Sequence, residues 1–63
     1  MPIAHIHMME GRTDEQKAAV IEKVTDALCE AVDAPRQNVR VLIQEVPNTQ
    51  FGIGGKTAKS LGR

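Results

Sequence analysis

Apolar and polar positions alternate in two short runs of this chain, and between the runs they recur at helical spacing. In "PIAHIHMM" the side chains of Pro2, Ala4, Ile6 and Met8 fall on one side and those of Ile3, His5, His7 and Met9 on the other. This period of two predicts a strand over 3–9, stopped by Gly11. In "TDEQKAAVIEKVTDALCEAV" the residues Val20, Ile21, Val24, Ala27, Leu28, Ala31 and Val32 repeat at three- and four-residue steps, which keeps them on one face of a helix. Thr13 followed by Gln16 is a capping-box signature, and Asp14 and Glu15 put negative charge where the helix dipole favours it. Pro35 ends the helix, because the residue before a proline is pushed out of helical space. "NVRVLIQEV" alternates again, with Val39, Val41 and Ile43 on one side and Arg40, Leu42 and Gln44 on the other, and Pro47-Asn48 closes it with a turn.

Strand, helix, strand in 63 residues defines a single domain, 1–63, of the α/β class: a right-handed β-α-β unit with parallel strands. One helix covers one face of such a sheet and leaves the other face and both edges bare. A chain this short encloses only a marginal core, and its single cysteine, Cys29, has no partner for an internal disulfide. Oligomerisation is the expected remedy. The glycine-rich tail "PNTQFGIGGKTAKSLGR" predicts a small hairpin or loop and a last helical turn, reaching onto a neighbouring subunit.

Charge and composition then remove several classes. Eight basic residues balance eight acidic ones and Phe51 is the only aromatic ring, which argues against nucleic acid as a partner. No signal-peptide pattern is visible and no apolar run approaches the ~20 residues of a membrane span, so a soluble cytoplasmic protein is expected. "GIGGKT" imitates the end of a phosphate-binding loop, but the first glycine of that pattern would fall at Gln50. His5 and His7 share one side of the first strand without an evident third ligand, so neither a metal nor another cofactor is expected. Cys29, beside the apolar stripe and with no assignable base, reads as a packing residue.

Pro2 has two readings. Proline is tolerated as the first residue of a strand, where no ladder hydrogen bond is lost. Alternatively, removal of Met1 leaves Pro2 with a free secondary amine. The segments "PIAHIHMMEGR", "DEQK", "DAP", "VRV" and "FGIGG", at constant spacing over nearly the whole chain, resemble the 4-oxalocrotonate tautomerase family. That resemblance implies a hexamer built as a trimer of β-α-β dimers, with Met1 removed, Pro2 catalytic, Arg12 and Arg40 holding substrate, and Phe51 forming an apolar wall. It also implies that the Met9 backbone amide holds a water near the substrate oxygen. The family commonly has Leu where this chain has Met9 and Gln where it has His5; the first change leaves a backbone role intact.

The residue chemistry agrees with the resemblance. A free α-amine titrates near ~8, and burial or neighbouring cations lower that value, so Pro2 beside two arginines is expected to be a neutral base at pH 7. Arginine forks match carboxylates, which suits Arg12 and Arg40 to a dicarboxylate or a 2-oxo acid. The activity implied is isomerisation of a 2-hydroxydienoate diacid to its conjugated 2-oxo form. Two alternatives stand beside it. A relative that adds water to an unsaturated acid, or dehalogenates it, would need a carboxylate, and Glu10 is the only nearby candidate. A non-catalytic oligomeric module would follow if Met1 persists, since an acylated proline nitrogen is no base.

Overall fold

The computed structural model spans Met1–Arg63 and places the two strands as the alternation predicts. β1 (Ile3–Met9) and β2 (Arg40–Val46) pair in parallel, with Ile3 opposite Arg40 and Met9 opposite Val46. Between them runs the helix α1 (Asp14–Val32), which completes the β-α-β unit. Both halves of the capping box form: Thr13 Oγ1 accepts from the Gln16 amide at 3.1 Å, and Gln16 Oε1 accepts from the Thr13 amide at 2.9 Å. At the other end Asp33 takes the left-handed conformation (φ 56°), one that Asp tolerates better than most residues, and so ends the helix two residues before Pro35. A single 3₁₀ turn, Arg36–Asn38, then takes up the first residue of the expected second strand and leads into β2.

The face beneath the helix consists of Ala4, Ile6 and Met8 from β1 and Val41 and Ile43 from β2, all half-buried. On the helix, Lys17, Val20, Val24, Thr25, Leu28 and Cys29 are half-buried against it. The apolar stripe is wider than the sheet. Ile21 is 40% exposed and Val32 59%, because a sheet of two strands covers only a narrow strip of helix. The opposite sheet face, with Ile3, His5, His7, Leu42 and Gln44, is uncovered.

The tail forms a hairpin and a final turn: β3 (Gly52–Ile53) pairs antiparallel with β4 (Lys56–Thr57), and a 3₁₀ turn follows at Lys59–Leu61. Gly54 (φ 60°) and Gly55 (φ 87°) make the hairpin corner in the left-handed region that glycine enters without steric cost. Ala58, the only fully buried residue, donates from its amide to the Phe51 carbonyl at 2.8 Å.

The chain exposes 4777 Å² and extends 43 × 24 × 13 Å. A compact monomer of 6.9 kDa exposes about 4000 Å². The excess, about 800 Å², matches what one partner loses in a standard protein–protein interface.

Candidate active site

Pro2 enters β1 with its carbonyl accepting a hydrogen bond from the Arg40 amide at 3.0 Å. That bond carries the ladder one step past Ile3 and fixes Pro2 beside the start of β2. Met1 is present in the structure, its ammonium donating to the Asn38 carbonyl at 3.1 Å. The Arg40 guanidinium donates through Nη1 to the Gln37 carbonyl at 2.8 Å and has no carboxylate partner. Alternation along β2 puts Arg40 on the uncovered sheet face, whereas Pro2 follows the parity of Ala4 and Ile6.

Met9, Arg12 and Phe51 gather at the other end of the sheet. The Glu10 amide donates to the Val46 carbonyl at 3.1 Å, and Gly11 then turns the chain with φ 122°, a value costly for any residue with a Cβ. This turn, together with the Thr13 cap, sets Arg12 between the end of β1 and the start of α1. Across from it the chain leaves β2 through Pro47 and turns, the Gln50 amide donating to the Pro47 carbonyl at 2.9 Å, to deliver Phe51. Between these segments lies an open cleft of about 710 Å³, lined among others by Met9, Glu10, Arg12, Asn48, Phe51 and Arg63. Phe51 is 37% exposed there.

The candidate residues therefore fall into two separate groups. Pro2 and Arg40 stand at one end of a strand of seven residues and Met9, Arg12 and Phe51 at the other, about 20 Å away at roughly 3.3 Å per residue. No small substrate spans that distance. Sequence reasoning missed Asn48 and Arg63 as cleft residues, because only the hairpin and the turn at Gly62 (φ 77°) bring the tail back beside the Pro47–Gln50 turn.

Arg12, like Arg40, lacks a carboxylate partner, while the chain's ion pairs lie elsewhere. The Lys17 ammonium donates to Glu45 Oε1 at 3.1 Å and also approaches Asp14 at 3.5 Å. The hydrogen bond to Glu45 leads in raising its pKa above the ordinary 10.5. Arg36 Nη1 donates to Asp26 at 2.6 Å, and that hydrogen bond strengthens its hold on the proton further. His5 and His7 stack on the uncovered face with ring centroids 4.7 Å apart and planes 17° from parallel. No third His, Cys, Asp or Glu joins them. No helix is long and apolar enough to cross a membrane.

A β-α-β unit with a proline at the strand start and an arginine-lined cleft at its far end defines a class that comparison with known proteins identifies. A family model described as "Tautomerase enzyme" matches residues 2–60. A 2-hydroxymuconate tautomerase of Comamonas testosteroni is 64% identical over 63 residues, the whole of both chains. A solved structure among the 4-oxalocrotonate tautomerase isozymes of Methylibium petroleiphilum superposes with a TM-score of 0.94 at 63% identity, covering 98% of this chain and 100% of that one. A heterohexamer 4-oxalocrotonate tautomerase from Chloroflexus aurantiacus gives 0.92 at 41% identity, covering 97% and 98%. The chain belongs to the tautomerase family.

Proposed function

We propose that this chain is an isomerase that converts 2-hydroxymuconate and similar dienol diacids to the conjugated 2-oxo acid. The observation that carries the reading is the division of its chemistry between the two ends of one strand: Pro2 and Arg40 at the start, Arg12 and Phe51 at the finish. Two chains related by a twofold axis, sheet edge against sheet edge, set the start of β1 in one beside the finish of β1 in the other. Each shared site then contains a proline, an arginine-lined cleft and an aromatic wall. The bare outer sheet face and the exposed part of the helix stripe are the surfaces through which dimers join further, into a homohexamer. The names of the relatives support both the reaction and the assembly.

In this site Pro2, released by removal of Met1, is the general base. Its neutral nitrogen takes the proton of the 2-hydroxyl; the electron pair shifts along the diene as the 2-oxo group forms, and Pro2 returns the proton to a distant carbon. Arg40 holds the carboxylate and oxygen at the 2-oxo end, where negative charge develops, and contributes through electrostatic stabilisation. Arg12 grips the far carboxylate and draws electron density toward it. Phe51 excludes water, which strengthens each of these contacts, and the Met9 amide holds a water near the substrate oxygen. No cofactor takes part. Glu10 offers a carboxylate for a hydratase or dehalogenase, a reading that relatives named as tautomerases at 64% identity do not favour. The site of action is the cytoplasm, in keeping with one unpaired cysteine. Absorbance of 2-hydroxymuconate, followed with protein whose intact mass lacks Met1, tests the reaction: no turnover above the uncatalysed rate overturns it.

A further inference from the structure

We propose that Arg63 is a second clamp for the far carboxylate of a diacid and sets the preference for diacids over monoacids. Arg63 lines the cleft that Arg12 and Phe51 line, and neither guanidinium has a carboxylate partner in the chain. The segment carrying Arg63 is tied down at both of that residue's backbone groups. Its amide donates to the carbonyl of buried Ala58 at 2.9 Å, and its main-chain oxygen accepts from Asn48 Nδ2 at 3.1 Å. Asn48 is itself a cleft residue, and its own carbonyl accepts from the Lys59 amide at 3.1 Å, so the last turn is held against the wall bearing Phe51. Arg63 is thus presented to the cleft by a fixed backbone.

The free donors of the cleft point to an anion. Arg12 and Arg63 bring two guanidinium groups to it, and neither is paired with Glu10 or with any other carboxylate of the chain. Like charges in one cleft repel until a counter-charge enters, and a carboxylate with two oxygens has lone pairs enough for two arginine forks. A substrate with an acid group at each end supplies that carboxylate; one with a single acid group, spent at Arg40, does not. The inference rests on the tautomerase reading for the identity of the diacid, but it can be tested by binding alone.

The probes are adipate, an unreactive six-carbon diacid, and hexanoate, the monoacid of equal length, titrated into wild type, Arg63→Ala, Arg63→Lys, Arg12→Ala and the double alanine variant. Arg63→Ala is expected to weaken adipate about three- to tenfold and to leave hexanoate within twofold, with Arg63→Lys recovering part of the loss. Because both guanidinium groups would share one carboxylate, the losses of the two alanine variants should not add. Unchanged adipate binding in Arg63→Ala, or an equal loss for adipate and hexanoate, overturns the proposal. Because neither probe reacts, a missing tautomerase activity leaves this outcome readable, and a failed Arg63 test leaves the tautomerase reading intact.

Discussion

The Arg40 amide donates to the Pro2 carbonyl at 3.0 Å, which binds the proposed base to the arginine that starts the second strand. Their backbones are locked together while their side chains follow opposite parities of the sheet. Arg40 is thereby presented on the uncovered sheet face, away from the helix.

The two arginines proposed to hold substrate should fail differently. Arg12→Ala is expected chiefly to raise KM for diacids, about tenfold, with monoacids nearly unaffected, because the larger part of what it loses is the grip on the far carboxylate in the bound ground state. Arg40→Ala should instead lower kcat by about 10²-fold, since its contact strengthens as charge develops at the 2-oxo end. Steady-state kinetics on a diacid and a monoacid 2-hydroxydienoate separate these effects; equal losses on both substrates for Arg12→Ala would show that it is no far-end clamp.

Assembly follows from surface. With about 800 Å² exposed beyond a compact monomer of this mass and one fully buried residue, the chain should sediment as an oligomer of six at micromolar concentration. Leu42→Glu, on the uncovered face where Leu42 is 48% exposed, should break the association of dimers and leave a smaller species. A folded, stable monomer of the wild-type chain would contradict this account of the fold.

The helix start can be weighed separately. Thr13→Ala removes the oxygen that accepts from the Gln16 amide and should cost about 1 kcal/mol in denaturant unfolding, the usual value of an N-cap. A loss within measurement error would mean that the cap is redundant in the assembled protein.

Lys17 ties α1 to β2 through Glu45, and its pKa lies above the ordinary 10.5, led by that hydrogen bond. A raised folded pKa means that this contribution is fully present below pH 10.5 and fades as pH climbs through the higher folded value. Comparison of wild type with Lys17→Met should therefore show a stability difference that shrinks above that pH. A difference that stays constant up to the highest pH at which the protein folds would assign it to packing rather than charge.

How much of this could be read from the sequence differs by residue. Alternation gave both strands and their faces, and Thr13 with Gln16 marked the helix start, because these signals are local and short-ranged. The helix stripe was legible in phase but not in width. Ile21, Ala27, Ala31 and Val32 are exposed, while Thr25, Cys29 and the stem of Lys17 take half-buried places, because a two-stranded sheet selects a narrow strip from a broad apolar face. Pro2, Met9, Arg12, Arg40 and Phe51 were named as candidates from the sequence and Asn48 was not, yet nothing in a linear pattern says that Pro2 and Arg12 stand at opposite ends of one strand until the strand exists. Arg63 was invisible for a plainer reason: its place depends on a hairpin whose corner is set by two glycines.

Whether the nitrogen of Pro2 is the base is decided by kcat/KM for 2-hydroxymuconate against pH, on protein sorted by intact mass into forms with and without Met1. Protein lacking Met1 should rise in activity through an apparent pKa below the ~8 of an ordinary α-amine, since neutral Pro2 is the active form. Protein retaining Met1 should lose about 10²–10⁴-fold, the usual contribution of a general base, because its proline nitrogen is an amide. Equal activity in the two forms would contradict the account and leave Pro2 as a proline that only begins a strand.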